Sequence, residues 1–255
     1  MSQLELKGVR GKLSYWALKT FIDCPLRYKF LVEDGIRTPD KDFRGAIIGA
    51  TLHYTVERSF FYSKSASWIF LNTPRYFAKL VDRAKILRWR SATDKEQTLQ
   101  KCIEMAANMR DFLVEHSYIY GRKVEIEQKV YANITPDLSL GGKPDLQFID
   151  DASKSIEIWD LKAVEDSIRL DKMQLWVYRY ILGQLNPGYT ISAMFVTPLL
   201  RKVIKPDFTE QMNQSYLSKV KETWYSIKQC RVANNFPPKP SIVCRYCEFK
   251  ETQCV

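Results

Sequence analysis

Hydrophobic and polar positions divide the chain into strand-like and helix-like stretches. Residues 155–163, Ser-Ile-Glu-Ile-Trp-Asp-Leu-Lys-Ala, alternate in polarity and are rich in β-branched and aromatic residues, which predicts a strand. Residues 145–149 predict another, and the polar run 150–154 between them reads as a hairpin turn. The segment 171–182 has helical character. Upstream, residues 13–33 predict a helix that starts near Ser14, a good N-cap, and breaks at Pro25. Residues 45–58 predict a second helix with small residues early. Residues 98–120 predict a third with one apolar stripe, ended by Gly121. Residues 124–134 alternate as a single strand, and 133–142 reads as a turn region leading into Asp145. After a turn at 183–188, a strand is expected at 189–196, a partner at 201–205 and a long amphipathic helix at 209–234. The proline-rich stretch Phe236-Pro237-Pro238-Lys239-Pro240 then leads to the tail. No internal repeat is evident.

Composition adds the partner class. The 255 residues are 45% hydrophobic and 27% charged, the balance of an ordinary globular protein. No apolar run reaches the ~20 residues needed to span a bilayer, and the N-terminus lacks the apolar core of a signal peptide. No membrane role and a cytoplasmic location are the expectation. Net charge is +10, an excess that favours a polyanionic partner, most often nucleic acid. Residues 59–95 concentrate aromatics (Phe60, Phe61, Tyr62, Trp68, Phe70, Tyr76, Phe77, Trp89) and cations (Lys64, Arg75, Lys79, Arg83, Lys85, Arg88, Arg90). Such a mixture suits stacking on bases and tracking of phosphates. For the aromatics the first expectation is a helical subdomain with an amphipathic core and a solvated basic face, and that basic face could still line a DNA channel.

The candidate chemistry lies between residues 145 and 178. A hairpin sets Asp145 beside Asp160, and Lys162, two residues on, shares the face of Asp160. Two convergent carboxylates with open positions suit a hard cation such as Mg²⁺ or Mn²⁺, and a nearby ammonium offsets charge building on a phosphate. The same residues also read as solvated strand ends. Gln174 and Tyr178, four apart, share one helix face and could line the same cleft.

The order Gly142-x-x-Asp145, Asp160-x-Lys162, Gln174-x-x-x-Tyr178 resembles the PD-(D/E)XK nuclease superfamily, in particular its RecB-type branch. The resemblance implies an α/β fold, a restriction-endonuclease-like core with a central mixed sheet flanked by helices. One nuclease domain would span residues 1–255, with a helical insertion at 59–121 and a cysteine-rich tail at 236–255. It also implies Mg²⁺- or Mn²⁺-dependent cleavage of DNA, acting as an exonuclease on single strands or ends. Asp145 and Asp160 would be metal ligands, Lys162 catalytic, and Gln174 and Tyr178 would contact substrate and support the site. His53, one of two histidines, matches a further metal-ligand position, with Glu57 one turn later as support; a lone helical histidine is otherwise more often structural. Glu127 is a weaker acidic candidate on the strand before. A helicase or other DNA-processing partner is within the family's range.

The tail carries Cys244-x2-Cys247-x6-Cys254. Three thiols this dense point to metal binding in an intracellular chain, and a tetrahedral thiolate site wants four. The resemblance supplies Cys24 as the fourth, because iron-sulfur members carry one cysteine ahead of the nuclease core and three after it. The implied cofactor is a structural [4Fe-4S] cluster that joins the two ends of the chain by closing a loop of about 220 residues. Zinc is the competing occupant. Cys102 and Cys230 read as core, and His116 as structural. The alternative to a nuclease is an inactive nucleic-acid-binding accessory protein with a structural or redox-sensing cluster.

Overall fold

The structure is a computed structural model and describes residues 11–36, 44–84, 89, 91–250 and 254. Lys85, Arg88 and Arg90 of the expected basic stretch, residues 1–10 and most of the last five residues lie outside the described set.

The chain begins with β1 (Gly11–Ser14) and α1 (Tyr15–Asp23). Ser14 caps α1 as expected, its hydroxyl accepting from the Ala17 amide at 3.1 Å. Pro25 opens a fresh one-turn helix, α2 (Pro25–Tyr28), which a π turn continues through Glu33. The break expected at Pro25 is thus present, where proline cannot donate; the expected helical start at residue 13 is corrected, because Gly11–Ser14 pairs as β1, and past Tyr28 the helix widens into the π turn.

Next come α3 (Arg44–Phe61), α4 (Ala66–Arg83) and α5 (Ala92–Glu115). α5 stops at His116, short of Gly121, because Ser117–Gly121 tightens into a 3₁₀ turn. The expected strand over 124–134 is two strands, β2 (Lys123–Ile126) and β3 (Val130–Thr135), which belong to different sheets. Glu127, with φ of 48°, turns the chain between them. The expected turn at 133–142 holds a further strand, β4 (Leu138–Gly142). Its Ser-Leu-Gly-Gly sequence has weak strand propensity, and pairing with β1 and β3 decides the matter.

The rest follows the pattern: β5 (Leu146–Asp150), β6 (Ser155–Leu161), α6 (Lys172–Leu185), β7 (Thr190–Thr197), β8 (Lys202–Ile204) and α7 (Glu210–Ala233). Two sheets form, with orders β1-β4-β3 and β2-β5-β6-β7-β8. The larger is mixed: β6 and β7 run parallel and the other pairs antiparallel. The expected central mixed sheet is therefore present, and the second sheet is an addition.

Pleating gives the larger sheet two apolar faces. Ile156, Ile158, Ala193 and Phe195 pack toward α1, α6 and α7, together with Leu13, Leu140, Trp176 and Trp224. Leu146, Phe148, Trp159, Leu161, Met194 and Val196 pack toward α3, α4 and α5. Cys102 is fully buried in that second core, as expected, and Cys230 packs partly buried on the first. No helix among the described residues is long and apolar enough to cross a membrane.

Candidate active site and cysteine cluster

The β5–β6 hairpin pairs Leu146 with Trp159 and Gln147 with Ile158. Continued one step toward the open end, this register sets Asp145 directly opposite Asp160. Both are buried, at 8% and 1% exposure. Lys162 follows on the same face, its amide fixed to the Val196 carbonyl at 2.9 Å. Its ammonium lies 2.6 Å from Asp160 Oδ2, an ion pair without hydrogen-bond alignment, and among the described residues that oxygen has no hydrogen-bond partner. Asp145 Oδ2 accepts from the Leu161 amide at 2.7 Å, so backbone holds the first acid beside the second.

α6 supplies the wall. Gln174 Nε2 donates to Asp160 Oδ1 and to the Tyr178 hydroxyl, both at 2.9 Å. Asp171 caps the helix at the Met173 amide and accepts from the Tyr15 hydroxyl at 2.8 Å, which ties α1 to this wall. From α3, His53 Nδ1 approaches Asp145 Oδ1 at 3.3 Å and Glu57 Oε1 at 3.9 Å. Glu127 pairs with Lys143 at 2.6 Å, and its amide donates to the Asp145 carbonyl. All six candidates of the proposed centre, His53, Asp145, Asp160, Lys162, Gln174 and Tyr178, therefore converge, and Glu57 stands beside them.

The electrostatics are those of crowded acids. Burial, then the charge of Asp145, pushes the Asp160 carboxyl up to about 6. Burial, then Glu127, pushes Glu57 up to about 7. Burial works against the His53 imidazolium, but its hydrogen bond to Asp145 and the charges of Asp145, Asp160 and Glu57 prevail and raise it. Burial and Asp160 raise the Tyr178 phenol. The carboxylates disfavour one another's charge, and a divalent cation between them would reverse that. The Asp160 oxygen without a hydrogen bond, the facing Asp145 and the oxygen-rich surroundings fit such an ion. Among the described residues no three His, Cys, Asp or Glu side chains form a preformed metal-holding group, so the donors would have to close in on the ion.

Gln147 is a buried polar residue that the pattern did not single out. It is fully buried in β5, and among the described residues neither of its amide atoms has a hydrogen-bond partner. Its place within an apolar-looking strand gave no signal. Tyr15 was also unmarked, because its contact with Asp171 spans 156 residues of sequence.

The four cysteines Cys24, Cys244, Cys247 and Cys254 line one small cavity of about 50 Å³, with Arg27, Pro238 and Lys250. Burial, then the neighbouring thiols Cys24, Cys247 and Cys244, raises the Cys254 thiol. A protein frame brings residues 22–30 and 239–249 together: Arg27 grips Glu248 through two nitrogens at 3.1 and 3.2 Å. Lys239 donates to the Ile22 carbonyl at 2.7 Å, and the buried Phe249 ring lies 4.9 Å from that of Phe30. Thiolate is the donor type that an iron-sulfur cluster or zinc takes, but among the described residues the cysteines that line this cavity do not form a preformed metal-holding group.

A mixed sheet between helical layers, with an acid pair, a lysine and a glutamine-bearing helix at one strand end, defines a protein of the restriction-endonuclease-like α/β class. The chain belongs to the PD-(D/E)XK nuclease superfamily, whose model matches residues 12–254. Among solved structures it is similar to a candidate exonuclease from Eubacterium rectale. Identity is 15% and the TM-score 0.58, over 100% of this chain and 94% of that one. A second structure, SSO0001, matches at 12% identity and a TM-score of 0.41, over 98% of this chain and 92% of that one. No curated protein sequence matches the chain.

Proposed function

We propose that the protein is a metal-dependent deoxyribonuclease, an exonuclease acting on single strands or DNA ends. The observation that carries this reading is the bond from the Leu161 amide to Asp145 Oδ2 at 2.7 Å, which holds Asp145 beside Asp160, with the Lys162 ammonium 2.6 Å from the second acid. His53, Asp145 and Asp160 would hold Mg²⁺ or Mn²⁺. When bound, such an ion polarises a phosphate and lowers the proton affinity of water. Lys162 supplies positive charge where the pentavalent phosphate gathers negative charge. Gln174 fixes the rotamer of Asp160 by donating to Oδ1, and Tyr178 in turn orients Gln174. The net charge of +10 favours the polyanionic substrate.

Cys24, Cys244, Cys247 and Cys254 would hold a structural [4Fe-4S] cluster that locks the tail onto α1 and α2. A DNA-processing partner such as a helicase rests on the family resemblance alone.

The test is digestion of end-labelled single-stranded DNA with Mn²⁺ by the parent and by Asp160→Ala. Cleavage by the parent, lost in the variant, is expected. Equal rates would overturn the catalytic assignment, and an inert parent that still binds DNA would favour the accessory-protein reading. Iron and sulfide quantified after anaerobic purification, absent from Cys244→Ser, are expected for the cluster; zinc without sulfide would replace it.

A further inference from the structure

The aromatics of α3 and α4 fall into two sets. Phe60 packs on Phe148 with centroids 5.2 Å apart, and Phe77 is buried at 2% exposure; these build the core. Tyr54, Phe61, Tyr62 and Tyr76 do not. Phe61 is 67% and Tyr62 48% exposed.

Tyr54, Arg58 and the Phe61–Tyr62 pair recur at i, i+4 and i+7/i+8, so they form one stripe about 12 Å long that runs along α3 to Tyr62, whose amide still donates to the Arg58 carbonyl just past the helix end. It lies one residue round from the His53–Glu57 stripe that faces Asp145. Arg58 sits among three rings, 5.0 Å from the Tyr54 centroid, 5.8 Å from Phe61 and 5.7 Å from Tyr62, and donates to the Tyr62 hydroxyl at 3.0 Å. Lys79 of α4 reaches the Tyr54 hydroxyl at 3.4 Å, and Tyr76 meets Tyr54 edge-on with centroids 5.0 Å apart. Among the described residues neither Arg58 nor Lys79 has a carboxylate partner.

A solvated basic face does not gather exposed rings around its cations, and an apolar docking patch would not centre on a guanidinium that, among the described residues, has only phenol and ring partners. Exposed rings interleaved with cations that have no carboxylate partner among the described residues match a strand with open bases and a phosphate backbone. We propose that this stripe is a platform for single-stranded DNA. Phe61 and Tyr62 stack bases at its far end, Arg58 and Lys79 track phosphates, and the strand is delivered past Tyr54 to His53. A duplex, its bases already stacked on each other, offers the rings nothing.

The platform serves the nuclease reading above, and binding without divalent ions separates the two. Fluorescence anisotropy of labelled oligothymidylate and of a blunt duplex is measured with the full chain, the double variant Phe61→Leu/Tyr62→Leu and the ring-keeping variant Tyr62→Phe. The double variant is expected to weaken oligothymidylate binding about tenfold with duplex binding little changed. Tyr62→Phe is expected to keep parental affinity, and both variants the parental melting temperature, since the replaced rings are exposed. Unchanged oligothymidylate affinity in the double variant, or an equal loss for the duplex, overturns the platform. Selective loss of strand binding in a chain that cleaves nothing with Mn²⁺ upholds the platform and removes the hydrolytic reading.

Discussion

Replacing Gly142 by alanine adds one methyl group where the fold has no room for it. A Cβ at this position would stand 2.6 and 2.8 Å from two carbons of the Tyr178 ring. That ring is buried between β4 and α6, and its hydroxyl is held by Gln174. The methyl must push the ring aside, and overpacking of this kind costs about 1–3 kcal/mol. Alanine also restricts the unfolded chain, which returns about 0.4–1 kcal/mol. The net expectation is a loss of about 1–2 kcal/mol, a fall in melting temperature of about 2–8 °C for a chain of this length. Gly49 provides the control. It lies within α3 with nothing within 4 Å of a Cβ, so the same substitution there should raise stability by about 0.5–1 kcal/mol. The assay is urea unfolding of parent, Gly142→Ala, Gly49→Ala, Tyr178→Leu and the Gly142→Ala/Tyr178→Leu pair. If the clash is with the ring, the pair shows a favourable coupling of about 1–2 kcal/mol. A Gly142→Ala protein as stable as its parent, or a pair that is simply additive, would refute the close approach. On the proposed function the variant also loses nuclease rate, because a displaced Tyr178 releases Gln174 and with it the Asp160 rotamer.

Asp137 gives a pH signature. Burial opposes its charge, but hydrogen bonds from Lys228 at 2.7 Å, Thr135 at 2.6 Å and Trp224 at 3.0 Å bring its pKa down to about 2. A lowered folded-state pKa gives stability that is present above about pH 4 and lost as pH falls toward 2. Asp137→Asn should therefore trail the parent by about 1 kcal/mol at pH 6, a figure discounted for solvent screening, with the gap closing by pH 2.5. A gap in the urea midpoint that stays constant across that range would remove the linkage. Gln147→Leu replaces two orphaned buried polar atoms by apolar volume, so its melting temperature should match or exceed the parent's. A loss of more than about 1 kcal/mol would mean that the amide is satisfied by an internal water.

The acid pair was legible because it is local. Asp145 immediately precedes β5 and Asp160 lies in β6, consecutive strands joined by a four-residue turn, and alternation fixes which side chains share a face. Gln174 and Tyr178 were legible for the same reason, four residues apart on one helix. Charge and cysteine spacing also stand in the sequence without any folding. What the sequence left open depends on partners far along the chain. β4 reads as a turn until β1, more than a hundred residues earlier, pairs with it in parallel. One alternating stretch becomes β2 and β3 because the backbone reverses at Glu127 and feeds two sheets. Which aromatics of α3 and α4 are core and which are exposed is decided by where Phe148 and the rest of the sheet lie. The approach of His53 to Asp145, the Tyr15–Asp171 contact and the meeting of Cys24 with the tail cysteines likewise exist only once the layers have packed. Local periodicity sets which face a side chain takes, and long-range packing sets what that face meets.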